Sequence, residues 1–311
     1  MSNSVLKLPE ETLQRLINHY QKEEIKTKNP HARFAAKLSD VMVTVYNSGK
    51  VMFQGAGAAR ETAKWGIVNQ ASEKTPQTKG DQLPPNFEQL SVLGSDETGT
   101  GDFFGPIAVA ACFVPTNQVA LAKELGVKDS KQLTDDYMRK IAPDLQSAFT
   151  YSVLTLNNDK YNEVQSQGWS QGKIKALLHN QVLKHVLRKM APEKPDAILI
   201  DQFAERGIYY KHIAKEPDII RENVLFSTKA ENLHVSVACA SIIARVAFLE
   251  EMDRLSAIAG TTLPKGAGAI VDKTAAKILL SCGEAFLKTI TKAHFANTKK
   301  AQALALKKKR T

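Results

Sequence analysis

Four carboxylates are the residues of this 311-residue chain whose types and positions invite chemistry. Asp96 and Glu97 stand together in SVLGSDETGTGDFFGPIAVAACFV (residues 91–114), where an alternating strand is expected to end and Gly99, Gly101 and Gly105 turn the chain. The run that follows, 107–114, is almost wholly apolar. It predicts a strand buried on both faces, which puts the acidic pair at the lip of a sheet interior. Adjacent carboxylates there repel and lose hydration, and a divalent cation is the commonest compensation. Asp-Glu before a glycine turn is also ordinary turn chemistry, because Asp caps turns and Gly supplies positive φ. Gly99, Thr100 and Gly101 beside the acids would let backbone N–H groups approach an anion closely, pairing a cation site with a phosphate cradle.

The second acidic strand end is Asp201, which closes the continuous apolar run of DAILIDQF. In an open α/β sheet, ligands collect at strand ends near the switch in strand order, so Asp201 and Asp96 can converge across a hundred residues. Taken alone, Asp201 serves equally well as a cap on a following helix. Glu231, in STKAENLHVSVACASIIARV, falls between a strand ending near Ser227 and a helix beginning near Leu233. A carboxylate there favours the helix dipole with or without a metal. Ala238, Ala240, Ser241 and Ala244 make that helix able to pack closely on a sheet, its N-terminus toward the acids. Lys229 would neutralise a phosphate or pair with Glu231. Four oxygen donors without His or Cys suit Mg2+ or Mn2+ better than zinc. On a basic protein they suggest phosphodiester hydrolysis with two ions roughly 4 Å apart.

The elements that must position these acids fall into two units. Residues 8–28 predict an amphipathic helix, with Leu13, Leu16, Ile17 and Tyr20 at helical spacing. Phe34, Ala36 and Leu38, then Val41, Val43 and Val45, then Val51 and Phe53 predict three strands, with a hairpin at 47–49 and a helix over 58–68. This gives a small α+β domain over 1–70. Residues 71–90, rich in Pro, Lys, Gln and Thr, read as a linker. From 91 to 311, strands at 90–96, 106–114, 151–156, 197–201 and 224–227 alternate with helices at 135–149, 171–190 and 233–255. That pattern is an α/β fold with a mixed sheet flanked by helices. The tail from Lys292 is either a frayed helix or a basic arm.

A formal charge of +10 and a pI near 9.3 favour an anionic polymer as partner. With 43% hydrophobic and 24% charged residues the chain reads as soluble and globular. No membrane span or signal peptide is apparent, so a cytoplasmic location is expected. Cys112, Cys239 and Cys282 lack metal-ligand spacing and are expected to be reduced core thiols.

DETGTGDFFGP (96–106), KDSKQL (128–133), ILID (198–201) and TKAENLHVSVACASIIAR (228–245) resemble, in order, the type 2 ribonucleases H and among them the HIII class. The N-terminal unit is similar to the TATA-binding-protein-like domain that precedes the catalytic domain in that class. The resemblance implies an RNase H-like fold and endonucleolytic cleavage of the RNA strand of RNA/DNA hybrids. Two Mg2+ or Mn2+ ions would do the chemistry, leaving 5′-phosphate and 3′-hydroxyl ends. Asp96 would bridge both metals, Glu97 and Asp201 would complete one site, and Glu231 would serve the other. Gly99, Thr100 and Gly101 would approach ribose 2′-hydroxyls through backbone groups. Ser130 and Lys131 would reach the substrate backbone, and Lys265 and Gly266 would contact phosphate. Thr100 in the middle of the glycine turn, Glu at 231, and LPKGAGAIV (263–271) without a Tyr depart from the HII pattern toward HIII.

His179 and His185 read as solvated positions on a basic helix with Lys173, Lys175, Lys184, Arg188 and Lys189, a face able to track a phosphate backbone. His294 either approaches substrate or packs on Phe295. Trp65 and Trp169 either stack on bases or pack. Lys37, Thr44, Tyr46 and Lys50 form the expected second contact surface. No obligate protein partner is expected, and the chain is read as a monomer. Two other readings compete: a non-catalytic nucleic-acid binder whose acids are caps, and an RNase H-fold nuclease acting on DNA.

Overall fold

The computed structural model describes residues 3–27, 29, 31–65, 80–127 and 133–309. The chain divides into two compact units, Met1–Gln77 and Thr78–Thr311.

In the first unit a four-stranded antiparallel sheet is built from β1 (Asn3–Lys7), β2 (Ala32–Lys37), β3 (Met42–Tyr46) and β4 (Lys50–Gln54), in the order β1-β4-β3-β2. The inward residues Phe34, Ala36, Val43, Val45, Val51 and Phe53 pack with Leu13, Leu16 and Tyr20 of the α1 segment and with Ala58 of α2. Helix α1 (Glu10–His19) is shorter than the sequence pattern suggests, because the chain tightens into a 3-10 turn at Gln21–Glu23. Helix α2 is described over Ala58–Ala63, and the expected continuation to Val68 runs outside the described residues. Strand β1 was not expected. It is five residues at the sheet edge, with Val5 56% exposed, so its alternation is too brief to read. The alternation of β3 and β4 places Thr44, Tyr46 and Lys50 on the sheet face opposite the core.

The second unit is organised on a five-stranded mixed sheet, β7-β6-β5-β8-β9. Its strands are β5 (Val92–Thr98), β6 (Ile107–Val114), β7 (Thr150–Leu156), β8 (Ala197–Asp201) and β9 (Val224–Ser227). β5, β6 and β7 pair antiparallel, whereas β5, β8 and β9 run parallel. Every residue of β6 is buried, as its apolar run demands. β5 runs two residues past Asp96. The antiparallel ladder with β6 holds Glu97 opposite Val109 and Thr98 opposite Ala108, so the acids lie within the strand and not beyond its end.

Helix α6 (Gln171–Met190) covers one sheet face, burying Ile174, Val182, Leu183 and Val186 against Leu93, Val109, Ile198 and Ile200. Helix α8 (Val235–Ala259) covers the other, with Ala238, Cys239, Ile242 and Ile243 against Ala110, Cys112 and Val114. Helix α8 is buried along most of its length, is capped by His234, and stops at Gly260 in the left-handed region. A third layer joins Phe103, Phe104 and Phe248 to α9 (Ala269–Ile290) and α10 (Ala296–Lys309). Helix α9 bends at Gly283, whose backbone is non-helical.

The remaining helices are α3 (Val119–Glu124), α4 (Asp135–Ala148), α5 (Asn158–Ser166) and α7 (Arg206–His212). Of these only α4 was expected. The tail from Ala296 is a helix with Ala301 buried in the core. The later part of the segment read as linker is built into this unit. Gly80 bridges to Ser227, the Asp81 amide donates to the Phe226 carbonyl at 2.8 Å, and Phe87 is buried. Cys112 and Cys239 are buried as expected, but Cys282 on α9 is exposed, which corrects its reading as a core thiol.

Candidate active site

Three elements bring the carboxylates together. Parallel register pairs Ser95 with Ile200, so one further step sets Asp96 beside Asp201 at the end of β8. On its other edge β8 pairs Asp201 with Ser227 of β9, and the chain then passes Lys229 into a 3-10 turn, Ala230–Asn232, that carries Glu231. The Ala230 amide donates to Asp201 Oδ1 at 2.9 Å, fastening this turn to the end of β8.

Strand alternation splits the pair on β5. Gly94 and Asp96 face α8, and Asp96 is hydrogen-bonded by the Ser241 side chain. Ser95 and Glu97 face α6, where Glu97 meets Lys175 Nζ at 2.7 Å and His179 Nε2 at 2.9 Å. His179 is wholly buried, and its Nδ1 lies 2.9 Å from Ser95 Oγ. A carboxylate only accepts, so Nε2 carries a proton toward Glu97, and in the neutral ring Ser95 donates to Nδ1. His179 is thus not the solvated side chain expected from its basic helix, and Lys175 is 8% exposed and not part of a phosphate-tracking face. Both residues were missed as site residues. Their i, i+4 spacing on the apolar side of α6 was the available signal.

Burial raises the Asp96 carboxyl well above its usual range, and the charges of Asp201 and Glu97 add to the effect. Asp201 is raised for the same first reason, with Glu231 and Glu97 reinforcing it against the Ala230 amide. Burial alone would also raise Glu97, but His179 and Lys175 outweigh it and hold that carboxyl below the usual range. Asp96 therefore feels Asp201 and Glu97, and Asp201 feels Glu231 and Glu97, within one poorly hydrated site. Among the described residues no three His, Cys, Asp or Glu side chains stand in closed metal-ligating geometry. Their oxygens are turned to protein donors instead: Glu97 to Lys175 and His179, Asp96 Oδ1 to the Glu97 amide at 2.7 Å, and Asp201 to Ala230. The donor set is all oxygen, anionic and mutually repelling, which fits a hard divalent cation.

Gly99 has φ +87°, and a Cβ there would sit 2.2 Å from the Pro106 carbonyl oxygen, so only glycine closes this turn. Thr100 offers its carbonyl to Gln171 Nε2 at 3.2 Å, and its hydroxyl is buried without a hydrogen-bond partner. Gly101 is exposed, and a Cβ there would meet nothing within 4 Å. Lys229 is exposed, with a left-handed backbone. Lys265 pairs with Asp135, which also accepts from Arg245 at 2.9 Å. Ser130 and Lys131 lie outside the described residues. His294 stacks on Tyr161 and meets Phe295 edge-on, Trp169 carries Lys173 over its ring, and Trp65 donates to Tyr20.

His234 links this site to stability. Its Nδ1 accepts from the Ser236 amide at the start of α8, and its Nε2 lies 3.1 Å from the Leu90 carbonyl. Burial pushes the ring down to about 4. The unfolded ring binds its proton near pH 6.5, so the native state holds fewer protons between pH 4 and 6.5 and loses stability as pH falls through that window. Urea melts should show about 2–3 kcal/mol more loss from pH 7 to pH 4 in the parent than in His234→Asn, whose amide can still cap. Equal pH dependence would remove His234 as a source of acid sensitivity.

Residues 93–298, which span all four carboxylates, match the family model for Ribonuclease HII. A ribonuclease HIII of Lysinibacillus sphaericus is 56% identical over 98% of this chain and 100% of its own length. The chain belongs to the ribonuclease HIII class of type 2 ribonucleases H. Ribonuclease HIII of Bacillus subtilis is 50% identical over 99% of this chain and all of its own. The crystal structure of Bst-RNase HIII in complex with Mn2+ aligns with a TM-score of 0.71 at 47% identity, covering 98% of this chain and 100% of that one. Residues 3–78 match a second model, described as a domain of unknown function, DUF3378. As a ribonuclease HIII family member the chain is a metal-dependent RNase H endonuclease that degrades RNA in RNA/DNA hybrids. Among the described residues no helix is long and apolar enough to cross a membrane.

Proposed function

We propose that Asp96, Glu97, Asp201 and Glu231 hold two divalent ions, Mg2+ or Mn2+, and that RNA is cut to leave 5′-phosphate and 3′-hydroxyl ends. The observation that carries this reading is the register of β5, β8 and β9, which sets Asp96 beside Asp201 and, through the Ala230 amide, ties the turn of Glu231 to Asp201. Bound ions supply an activated water and stabilise the leaving oxygen. The protein's own part is to hold the carboxylates on rigid strand ends and to receive the scissile strand. The backbone of Gly99, Thr100 and Gly101 reads the 2′-hydroxyls. Ser130, Lys131, Lys229 and Lys265 contact the phosphate backbone, Lys265 by exchanging Asp135 for phosphate. The small unit ending near residue 77 binds the hybrid through the sheet face of Lys37, Thr44, Tyr46 and Lys50, which would need no base-specific contacts on an A-like duplex.

All four acids come from one chain, so a monomer suffices. Its substrate forms where the bacterial chromosome is copied and transcribed, in the cytoplasm. Labelled RNA/DNA hybrid and duplex DNA of the same sequence, each with Mn2+, Mg2+ or chelator, test the reading. The expected result is cleavage of the hybrid alone, only with metal. Equal cutting of both duplexes defeats the 2′-hydroxyl argument, and uncut hybrid leaves a binding protein. Removing residues 1–77 is expected to raise KM about tenfold or more with kcat within about threefold, and an unchanged KM rules out a clamp.

A further inference from the structure

The Lys292 side chain is wholly buried at the start of the tail, and its hydrogen-bond acceptors are main-chain carbonyls. Nζ donates to the carbonyls of Gly105 at 2.6 Å, Asp102 at 2.8 Å and Pro106 at 3.2 Å. The Asp102 carboxylate turns elsewhere, accepting from the Gly266 amide at 2.5 Å. An ammonium in such a place carries a large desolvation cost, and burial pushes it down to about 7.

All three carbonyls belong to the loop that leaves β5 after the acids. That loop is closed on itself, since the Asp102 amide donates to the Gly99 carbonyl at 3.3 Å and a Cβ at Gly99 would collide with the Pro106 carbonyl oxygen that Lys292 also holds. Further ties run the same way. The Lys292 amide donates to the Phe103 carbonyl at 2.8 Å, the Gly105 amide to the Ile290 carbonyl at 3.1 Å, and Phe104 bridges to Thr291. Asn158 Nδ2 also donates to the Gly105 carbonyl, at 2.9 Å.

We infer that Lys292 is a positioning residue for reading the RNA strand: by gathering the carbonyls of Asp102, Gly105 and Pro106 it fixes the backbone of Gly99, Thr100 and Gly101 for the ribose 2′-hydroxyls. A neutral side chain of equal length would take this donor from all three carbonyls, with Asn158 Nδ2 still serving Gly105, and the loop would relax around the one oxygen it shares with Gly99. The inference rests on the reading of Gly99, Thr100 and Gly101 as the ribose contact.

The test compares the full-length parent with Lys292→Met and Lys292→Gln, well below each melting temperature. Far-UV dichroism, the metal concentration for half activity, kcat and KM on hybrid, and amide exchange over residues 99–106 are measured. Expected for Lys292→Met are a folded protein, a metal midpoint within about twofold of the parent, faster exchange in the loop, and kcat/KM on hybrid down by about a hundredfold. Lys292→Gln, which keeps N–H donors, should recover part of that loss. Parent-like kcat/KM, a loss that follows a shifted metal midpoint, or unfolding of both variants overturns the inference, the last because Lys292 would then serve only the fold. Gly101→Ala separates the two layers, since its Cβ has room in the protein. If that variant cleaves hybrid normally, the loop reading itself fails. If it is crippled while Lys292→Met is not, only the role of Lys292 falls.

Discussion

Asp96→Asn is expected to lower kcat on RNA/DNA hybrid by about a thousandfold or more and, in the same protein, to raise the melting temperature without metal. Both effects come from one cause. Asp96 is desolvated beside Asp201 and Glu97, so the folded protein binds a proton there more readily than the unfolded chain. Its contribution to stability therefore falls as pH rises from its unfolded value through its raised folded one, and at pH 7 the carboxyl is a standing cost. Asparagine keeps the shape and removes the charge, a gain of about 1–2 kcal/mol, or roughly 2–6 °C for a chain of this size. Mn2+ should raise the melting temperature of the parent by mass action, and this shift should largely vanish in the variant. Calorimetry with and without Mn2+ reads both. An Asp96→Asn protein that melts at or below the parent temperature and still responds to Mn2+ would place Asp96 outside the crowded cluster.

The second large effect concerns a residue without a side chain. A Cβ at Gly94 would lie 2.4 Å from the Val237 amide nitrogen and 2.6 Å from the Ser236 carbonyl carbon, both main-chain atoms of the first turn of α8. Backbone cannot rotate aside as a flexible side chain can, so Gly94→Ala must push strand and helix apart. The expected cost is about 3 kcal/mol, at the upper end for overpacking. The same displacement moves Ser241 from Asp96 and the helix start from the turn that carries Glu231. Urea unfolding should show the stability loss, and kcat should fall even where the variant remains folded. A cost below about 1 kcal/mol would mean that β5 and α8 are less tightly wedged than their separation implies.

Much of this arrangement was legible in the residues. Ala197–Asp201, Val224–Ser227 and Gln171–Met190 begin and end where their patterns predict, because apolar runs bounded by Pro, Gly or polar residues fix both period and limits. The acids stood out because each interrupts or follows an apolar segment. What stayed hidden was tertiary. β5 continues through Asp96, Glu97 and Thr98 because β6 offers a full ladder, which those polar residues do not announce. Lys175 and His179 reach Glu97 because α6 lies across β5, and before that crossing is known they look like two more charges on a basic helix. Helix α9 escaped because Gly283 interrupts it.

Cys282 has a practical consequence. The chain has three cysteines, two of them enclosed between β6 and α8 and one open to solvent beside the bend in α9. A maleimide dye would thus mark each native molecule once, at a helix joint remote in sequence from the acids, giving an optical reporter without any engineered residue.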